Sequence, residues 1–569
     1  MNWIKSDNCS TIKEVVERNT GMPISDLFSE TDTKITNLDK AVDFVINAIN
    51  KNQKIYIFGD YDADGITSTT ILYSVLQLSS CNIRTRMPRR FSEGYGMSVK
   101  AVNEFENGSL IITVDNGIMA HEAITEAKNK NCNVIVIDHH IPDKILPDAD
   151  IIVNPHCYKE YDDDFEDLCG AGLALKFAIR FLEKTSQIND ILVDSLYELA
   201  AIGTIADVMP LVKDNRDIVI RGLKSINESP KSRGIRTLIN ELELEFIDEQ
   251  TIGYKIGPVI NALGRVCDDG AAIVLSLLTG KKRDGTKIPS HDLTELAREV
   301  IKNNEFRKSE VKEAVERANE IIANDCLYGD CPLIIYDNKT SEGLVGIVAG
   351  KIAEQYRTPC IVLTDNADKT FLKGSCRSFG SVNIKNEFDK CKDLLINYGG
   401  HSGAAGLSVA FDKLNELSDR LISQMNGFEA EKITDVSYDL EIDLEKASLD
   451  DILNELHKYA PYGQGNKEVV FRINNFGLSP RNGHFYKTIG EQGQHIKLFG
   501  NQSAAIGFDM ADKYIESEQS KILDVVGTIS ENRFMGNKEI QIRIVDFVPH
   551  KSEKLNKLSS LLAMKLKEI

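Results

Sequence analysis

Residues 54–65 read KIYIFGDYDADG. KIYIF is a short, mostly apolar, β-prone run that stops in a polar turn, so it reads as a buried strand. The turn carries Asp60, Asp62 and Asp64 at alternate positions. The pattern recurs along the chain. LIITV (110–114) runs into Asp115-Asn116-Gly117, NVIVI (133–137) into Asp138-His139-His140, and IIVN (151–154) is a fourth strand. Helical stretches lie between them. Residues 38–51 place Ala41, Val42, Val45, Ala48 and Ile49 on one face, and helices are also expected over 66–78 and from 118 towards 130. Apolar strands alternating with helices predict a doubly wound parallel α/β sheet. In such a sheet the carboxyl ends of the strands open onto one crevice. The acids and histidines should therefore meet there.

Outward from this unit, residues 170–184 and 192–206 read as helices, the second ending near Asp207-Val208-Met209-Pro210. Residues 291–328 hold neither Gly nor Pro, and Leu293, Leu296, Val300, Val311, Val315, Ala318 and Ile322 keep helical spacing, with a slip near Asn303-Asn304. One helix of that length spans roughly 50 Å and reads as a rigid connector. A second α/β unit follows, with strands at 332–336 and 360–364, a helix at 343–356, and the stretches GSCRSFG (374–380) and YGGHSGAAG (398–406). Beyond residue 430 short alternating strands, such as Ile540, Ile542 and Ile544, predict a small β-barrel or sandwich. The expected layout is an N-terminal segment 1–37, a catalytic domain 38–290, a connecting helix 291–328, a second domain 329–430, a β domain 431–550 and a tail 551–569.

The chain has 569 residues, 42% hydrophobic and 27% charged, a balance that excludes a disordered or fibrous protein. Its formal charge is −19, from 67 Lys+Arg against 86 Asp+Glu. So acidic a chain does not advertise nucleic acid as a partner, although net charge averages over faces and clefts. The run 160–167 carries six carboxylates in eight residues and reads as a solvated insertion; the tail 551–569 has five lysines and two glutamates. No apolar run is long enough for a signal peptide or a membrane span. The 11 cysteines form no CxxC pair and no zinc spacing, so free thiols in a reducing cytoplasm are expected.

A single Asp after a strand is commonly a turn former or helix N-cap. Several carboxylates gathered with an imidazole are different, because they repel one another and resist ionisation. Divalent cations resolve that conflict. Oxygen-rich sites suit Mg²⁺ or Mn²⁺, and an imidazole tilts the balance to Mn²⁺. Two such ions point to phosphoester hydrolysis.

Asp138-His139-His140, GDYDADG (59–65) and VDNG (114–117) together resemble the DHH phosphoesterase superfamily. Gly399-Gly400-His401-Ser402-Gly403-Ala404-Ala405-Gly406 resembles the signature of that superfamily's associated second domain. Arg89 to Gly96 (RRFSEGYG) resembles a substrate loop of the family. Asn261-Ala262-Leu263-Gly264-Arg265 and Ser375-Cys376-Arg377-Ser378 are similar to motifs of the bacterial RecJ exonucleases. The resemblance covers nearly the whole chain and implies a DHH catalytic domain, a long connecting helix, a DHH-associated α/β domain and a C-terminal oligonucleotide-binding (OB) type β-barrel. By the same resemblance Asp62, Asp64, Asp115, His139 and Asp207 would hold two ions, Mn²⁺ or Mg²⁺, with Asp115 as the bridge. Many superfamily members carry a His four residues before Asp62; here that place is Phe58. Either Asp60 takes over as a ligand or one ion is held more weakly. His140, with Asp62 and Asp115, would act in catalysis, supporting His139 or touching the scissile phosphate.

The resemblance also implies a substrate path. Arg265, Ser375 and Arg377 would contact phosphates, since arginine forks bind phosphate oxygens in pairs. Gly399, Gly400 and His401 would let backbone N–H groups approach a phosphate. Arg84, Arg86, Arg89, Arg90, Phe91 and Tyr95 interleave cations with aromatics, which suits a stacked single strand. The implied activity is exonucleolytic hydrolysis of single-stranded DNA, 5′→3′ to mononucleotides, in repair and recombination. A single-strand-binding protein and a helicase are implied partners, and a monomer is expected. Two alternatives stay open: a phosphodiesterase of short oligonucleotides or cyclic dinucleotides, and a non-catalytic DNA-binding relative.

Overall fold

A computed structural model describes residues 2–29, 33–80, 82–158, 167–425, 427–428, 435–534 and 536–550. The acidic stretch 160–166 and the tail 551–569 lie outside the described residues. The chain divides into two compact units. One comprises residues 32–209 and 217–432; the other comprises 1–31, 210–216 and 433–569.

The first unit opens with a five-stranded sheet in the order Ile83–Arg86, Ile55–Phe58, Leu110–Val114, Asn133–Ile137, Ile151–Val153. All four pairings are parallel. Phe58, Ile111, Val134, Val136 and Ile152 pack on one face against Ala101, Val102, Phe105, Ile124 and Ala127. Ile55, Ile57, Ile112, Ile135 and Ile137 are fully buried on the other face, which helices Ala63–Leu76 and Gly170–Lys184 cover. Helices on both faces make the doubly wound arrangement. Ile55–Phe58 precedes both of its neighbours in the chain, so the strand order reverses between it and Leu110–Val114. That reversal is the topological switch point where such sheets bind ligands. Arg84 and Arg86, expected in a loop with Arg89 and Arg90, belong to edge strand Ile83–Arg86. Its charged IRTR pattern hides it, and charge on an edge strand discourages pairing with another chain.

The connecting helix is Ser290–Asn324, 35 residues in one piece. Its first half packs on helices Arg233–Glu241 and Gly257–Ala262. In its second half Ala314, Ala318 and Ile322 share a core with Leu333, Ile335, Val348 and Ile352 of the second domain. That domain carries a mixed sheet in the order Leu395–Gly400, Ala404–Val409, Leu372–Arg377, Cys360–Asp365, Leu333–Tyr336. Only the last pair is parallel. Ser375 and Arg377 therefore sit on a strand, and YGGHSGAAG is a hairpin rather than a loop.

The second unit holds a seven-stranded sheet: Leu440–Asp443, Phe471–Gly477, Ile522–Phe534, Asn537–Pro549, Ser503–Gly507, His495–Phe499, Tyr486–Ile489. The alternating strands predict a barrel. Among the described residues the ladder is open, and its two four-residue edge strands are not paired with each other. N-terminal strand Asn2–Lys5 pairs in parallel with Asp435–Tyr438 in this unit. Residues 210–216 join it through Arg216, a buried side chain whose guanidinium donates to the carbonyls of Tyr459 and Ala460 at 3.1 and 2.7 Å.

Candidate metal centre and substrate cleft

The switch point gathers the predicted ligands. His139 Nε2 lies 3.1 Å from Asp115 Oδ1, 3.7 Å from Asp207 Oδ2 and 3.8 Å from Asp64 Oδ2. Asp60, Asp62 and Asp115 form a second group, in which one carboxylate oxygen from each lies within 4.8 Å of the others. Asp115 belongs to both neighbourhoods, which is the position a bridging carboxylate needs. Its backbone sits at φ 61, a left-handed conformation that Asp tolerates better than most residues. Phe58 is not near this chemistry. Its ring is buried edge-on to Phe105 in the core, 6.3 Å between centroids.

Local structure fixes each acid. Asp62 is the N-cap of helix Ala63–Leu76 and accepts from the Gly65 N–H at 3.0 Å. The next N–H, of Ala63, donates to Asn261 Oδ1 at 2.7 Å, so the NALGR motif holds this turn. Asp64 is buried at the N-terminus of helix Gly170–Lys184, taking the N–H groups of Gly170 and Ala171 at 2.7 and 2.8 Å. Helix N-termini favour negative charge. Asp207 ends helix Asp190–Ala206, which the fold returns to the same crevice. Gly170 has a further role, because a Cβ there would stand 2.6 Å from Asp115 Cβ and 2.9 Å from Asp64 Oδ2. Gly170→Ala is expected to displace both acids and weaken Mn²⁺ binding at least tenfold, as supporting-shell changes do, measurable by calorimetric titration. Unchanged affinity would remove this steric role.

Asp138, despite its place in the motif, is an orienting group. One oxygen accepts from the Ile118 N–H at 2.9 Å; the other accepts from the His139 and His140 N–H groups at 2.8 and 3.1 Å and meets His140 Nδ1 at 2.7 Å. Burial opposes its charge, yet the His140 hydrogen bond holds it below the usual carboxylate range. Burial also disfavours charge on His140, but the Asp138 hydrogen bond outweighs it and raises the ring to about 9. Burial lowers His139, which favours the neutral imidazole that a metal ligand must be.

The acids behave oppositely. Burial and neighbouring carboxylates raise Asp60 and Asp115 well above their ordinary value, and the same causes push Asp207 up to about 8. Both carboxylate oxygens of Asp60 and Oδ2 of Asp207 are buried without a well-formed hydrogen bond. Orphaned buried oxygens among mutually repelling carboxylates fit a pair of divalent cations, and the oxygen-rich donor set with one imidazole fits Mn²⁺ or Mg²⁺.

Next to this centre lies a cleft of about 450 Å³ between the catalytic and second domains. Predicted residues Arg90, Tyr95, Arg265, Ser375, Arg377 and Gly399 line it, together with Lys373 and Glu342, which the sequence did not single out. Four cations against one carboxylate make it basic inside an acidic chain. Gly400 and His401 are not among the lining residues. A Cβ on Gly400 would come 2.3 Å from the Ala404 carbonyl, so this glycine serves the close hairpin ladder. Arg89 faces a different cavity and pairs with Asp269 at 3.2 Å. Arg86 pairs with Glu93 and Glu104. Among the described residues Arg90, Arg265 and Arg377 have no such carboxylate partner. Cleft and metal centre are joined side chain to side chain. Arg90 stacks over Tyr61 at 4.7 Å, Tyr61 meets Tyr95 at 6.2 Å, and the Tyr95 hydroxyl lies 3.1 Å from His140 Nε2.

Three family models match, in order: the DHH family N-terminal domain at residues 54–204, the DHHA1 domain at 328–427 and the RecJ OB domain at 438–546. The chain thus carries the DHH, DHHA1 and RecJ OB domains in one polypeptide. It is 31% identical over 524 residues to the single-stranded-DNA-specific exonuclease RecJ of Bacillus subtilis, covering 90% of this chain and 63% of that protein. Against RecJ of Salmonella typhimurium the identity is 29%, with 91% of each chain covered. The crystal structure of Thermus thermophilus RecJ in complex with Mn²⁺ superposes with a TM-score of 0.76 at 25% identity, over 95% of this chain and 76% of that one. A crystal structure of exonuclease RecJ bound to manganese superposes with a TM-score of 0.60 at 27% identity, over 70% of this chain and 96% of that one. The second-unit sheet thus corresponds to the RecJ OB domain although its ladder is open. Among the described residues no helix is long and apolar enough to cross a membrane.

Proposed function

We propose that this chain is a metal-dependent exonuclease that degrades single-stranded DNA from the 5′ end to mononucleotides. The observation that carries the reading is the pairing of two sites: a cluster of carboxylates around His139, and beside it a cleft whose arginines have no carboxylate partner among the described residues. Asp60, Asp62, Asp64, Asp115, His139 and Asp207 would hold two divalent ions, which would polarise the scissile phosphoryl group and activate water. Asp138 fixes the ring of His140, leaving Nε2 directed to the reaction side, where Tyr95 now meets it. His140, positively charged near neutral pH, is suited to donate a hydrogen bond to a phosphate oxygen. Arg265, Ser375 and Arg377 hold a phosphate in the cleft, and Arg90 and Tyr95 flank the strand. The reading extends to a cytoplasmic monomer acting in repair and recombination, with a single-strand-binding protein and a helicase as partners.

The test uses 5′-labelled and 3′-labelled single strands with Mn²⁺, Mg²⁺ or EDTA. Immediate release of label as mononucleotide from the 5′-labelled strand, stepwise shortening of the 3′-labelled strand, and silence in EDTA are expected. Blunt duplex cut as fast as single strands would overturn it.

A further inference from the structure

The buried seam of the connecting helix runs Leu293, Ala297, Val300, Asn304, Val311, Ala314, Ala318 and Ile322. These positions step by threes and fours, as one helical face requires. Position 307 completes the series, three after Asn304 and four before Val311. Two successive seam positions are therefore polar, Asn304 and Arg307. Seam residues before them pack on the catalytic domain and those after them on the second domain. The polar break falls where the helix passes from one domain to the other. The same helix packs on the turn Leu263–Arg265, and Arg265 lines the cleft.

Arg307 is half-buried. Its Nε donates to Asn304 Oδ1 at 3.2 Å, its neighbour Glu305 is taken by Lys308 at 2.8 Å, and among the described residues no carboxylate pairs with its guanidinium. Placing an unpaired guanidinium in an apolar seam costs stability, and a leucine there would pack better. Burial, with the like charges of Arg90 and Arg307 nearby, lowers Arg265 to about 10. Arg90, Arg265 and Arg377 line one cleft with no carboxylate partner among the described residues, and Arg307 stands on the helix that packs against the Arg265 turn; arginines so placed are arranged to take anions. We propose that Arg307 binds a backbone phosphate of the strand, beyond the one held at Arg265 and Arg377, so that the connecting helix forms part of the substrate path. This rests on the single-strand reading above.

The test measures binding of a 5′-phosphorylated, 3′-fluorescent oligothymidylate about 12 nucleotides long to the full chain. An Asp115→Asn background prevents cutting, and salt is varied. Arg307→Leu is expected to weaken binding about tenfold and to make the plot of log affinity against log salt shallower by about 0.7. Its melting temperature should equal or exceed that of the parent. Arg307→Lys should recover the salt slope while binding more weakly than the parent, because the fork is lost. Unchanged affinity and slope in Arg307→Leu, with Arg377→Ala still weakened, would overturn the proposal and leave the single-strand reading standing. So would Arg307→Leu losing thermal stability along with binding, with Arg307→Lys failing to recover the slope. A parent that does not hold the oligonucleotide, or an Arg377→Ala variant that binds as well as the parent, would overturn both.

Discussion

Asp115→Asn should lower Mn²⁺-dependent nucleotide release by on the order of 10⁴-fold while leaving the metal-free protein as stable as before, or more so. Both halves follow from geometry. Asp115 is the carboxylate shared by the two ligand groups, 3.1 Å from His139 and within reach of Asp60 and Asp62. Removing its charge takes away the bridge that either ion would need. The same charge is the one its buried neighbours disfavour, so the amide relieves repulsion. Asn also tolerates the left-handed backbone at φ 61, which Ala would strain. Loss of activity with a clear drop in melting temperature in EDTA would mean that Asp115 acts as a structural residue. Retention of more than a tenth of the release would show that the release does not come from this carboxylate cluster.

The second large effect concerns stability and pH. Burial and neighbouring carboxylates raise Asp60, Asp115 and Asp207, the last to about 8. A carboxyl group raised in the folded state binds its proton more tightly there than in the unfolded chain. Its contribution is therefore present at pH below about 4, the unfolded value, and is lost as pH rises towards 8. Metal-free protein should melt at progressively lower temperature across that window. Divalent ions reverse the trend, because they bind the deprotonated cluster. At a hundred times its dissociation constant each ion adds about 2.7 kcal/mol. Melting scans in EDTA, Mn²⁺ and Mg²⁺ at pH 6 and pH 8 check this. The Mn²⁺-induced rise should be larger at pH 8. Equal rises at both values would show that the cluster is not what the ions occupy.

The catalytic sheet was legible because each candidate ligand except Asp207 follows an apolar strand, and the parallel arrangement aligns the strand ends. Asp60, Asp62, Asp64, Asp115 and His139 meet for that reason. Asp207 was legible through resemblance alone, since a helix C-terminus carries no signal of where it returns. The distinction between ligand and support was not legible. Asp138 looks like Asp115 in sequence, and only its four contacts show it to be spent inside its own loop. The arginines teach the same lesson. Arg86, Arg89 and Arg90 lie almost side by side in the chain, but two are neutralised by acids close by in the fold, and one is left for the cleft. The slip at Asn303-Asn304 was visible as a break in periodicity, whereas its meaning needed the domains on either side.

Strand Asn2–Lys5 has its partner at Asp435–Tyr438, and the Trp3 indole donates to Asp546 at 2.7 Å, 543 residues away. During synthesis Asn2–Lys5 must wait until Asp435–Tyr438 and Asp546 have been made before they can be ordered. The intervening unit has all its own strands and can fold first, as domains generally do. Assembly of the second unit is then a late, non-local event with a high closure cost. A shortened chain ending near residue 430 would lack strand Asp435–Tyr438, with which the N-terminal strand pairs. A catalytic fragment is therefore better cut at both ends than at one.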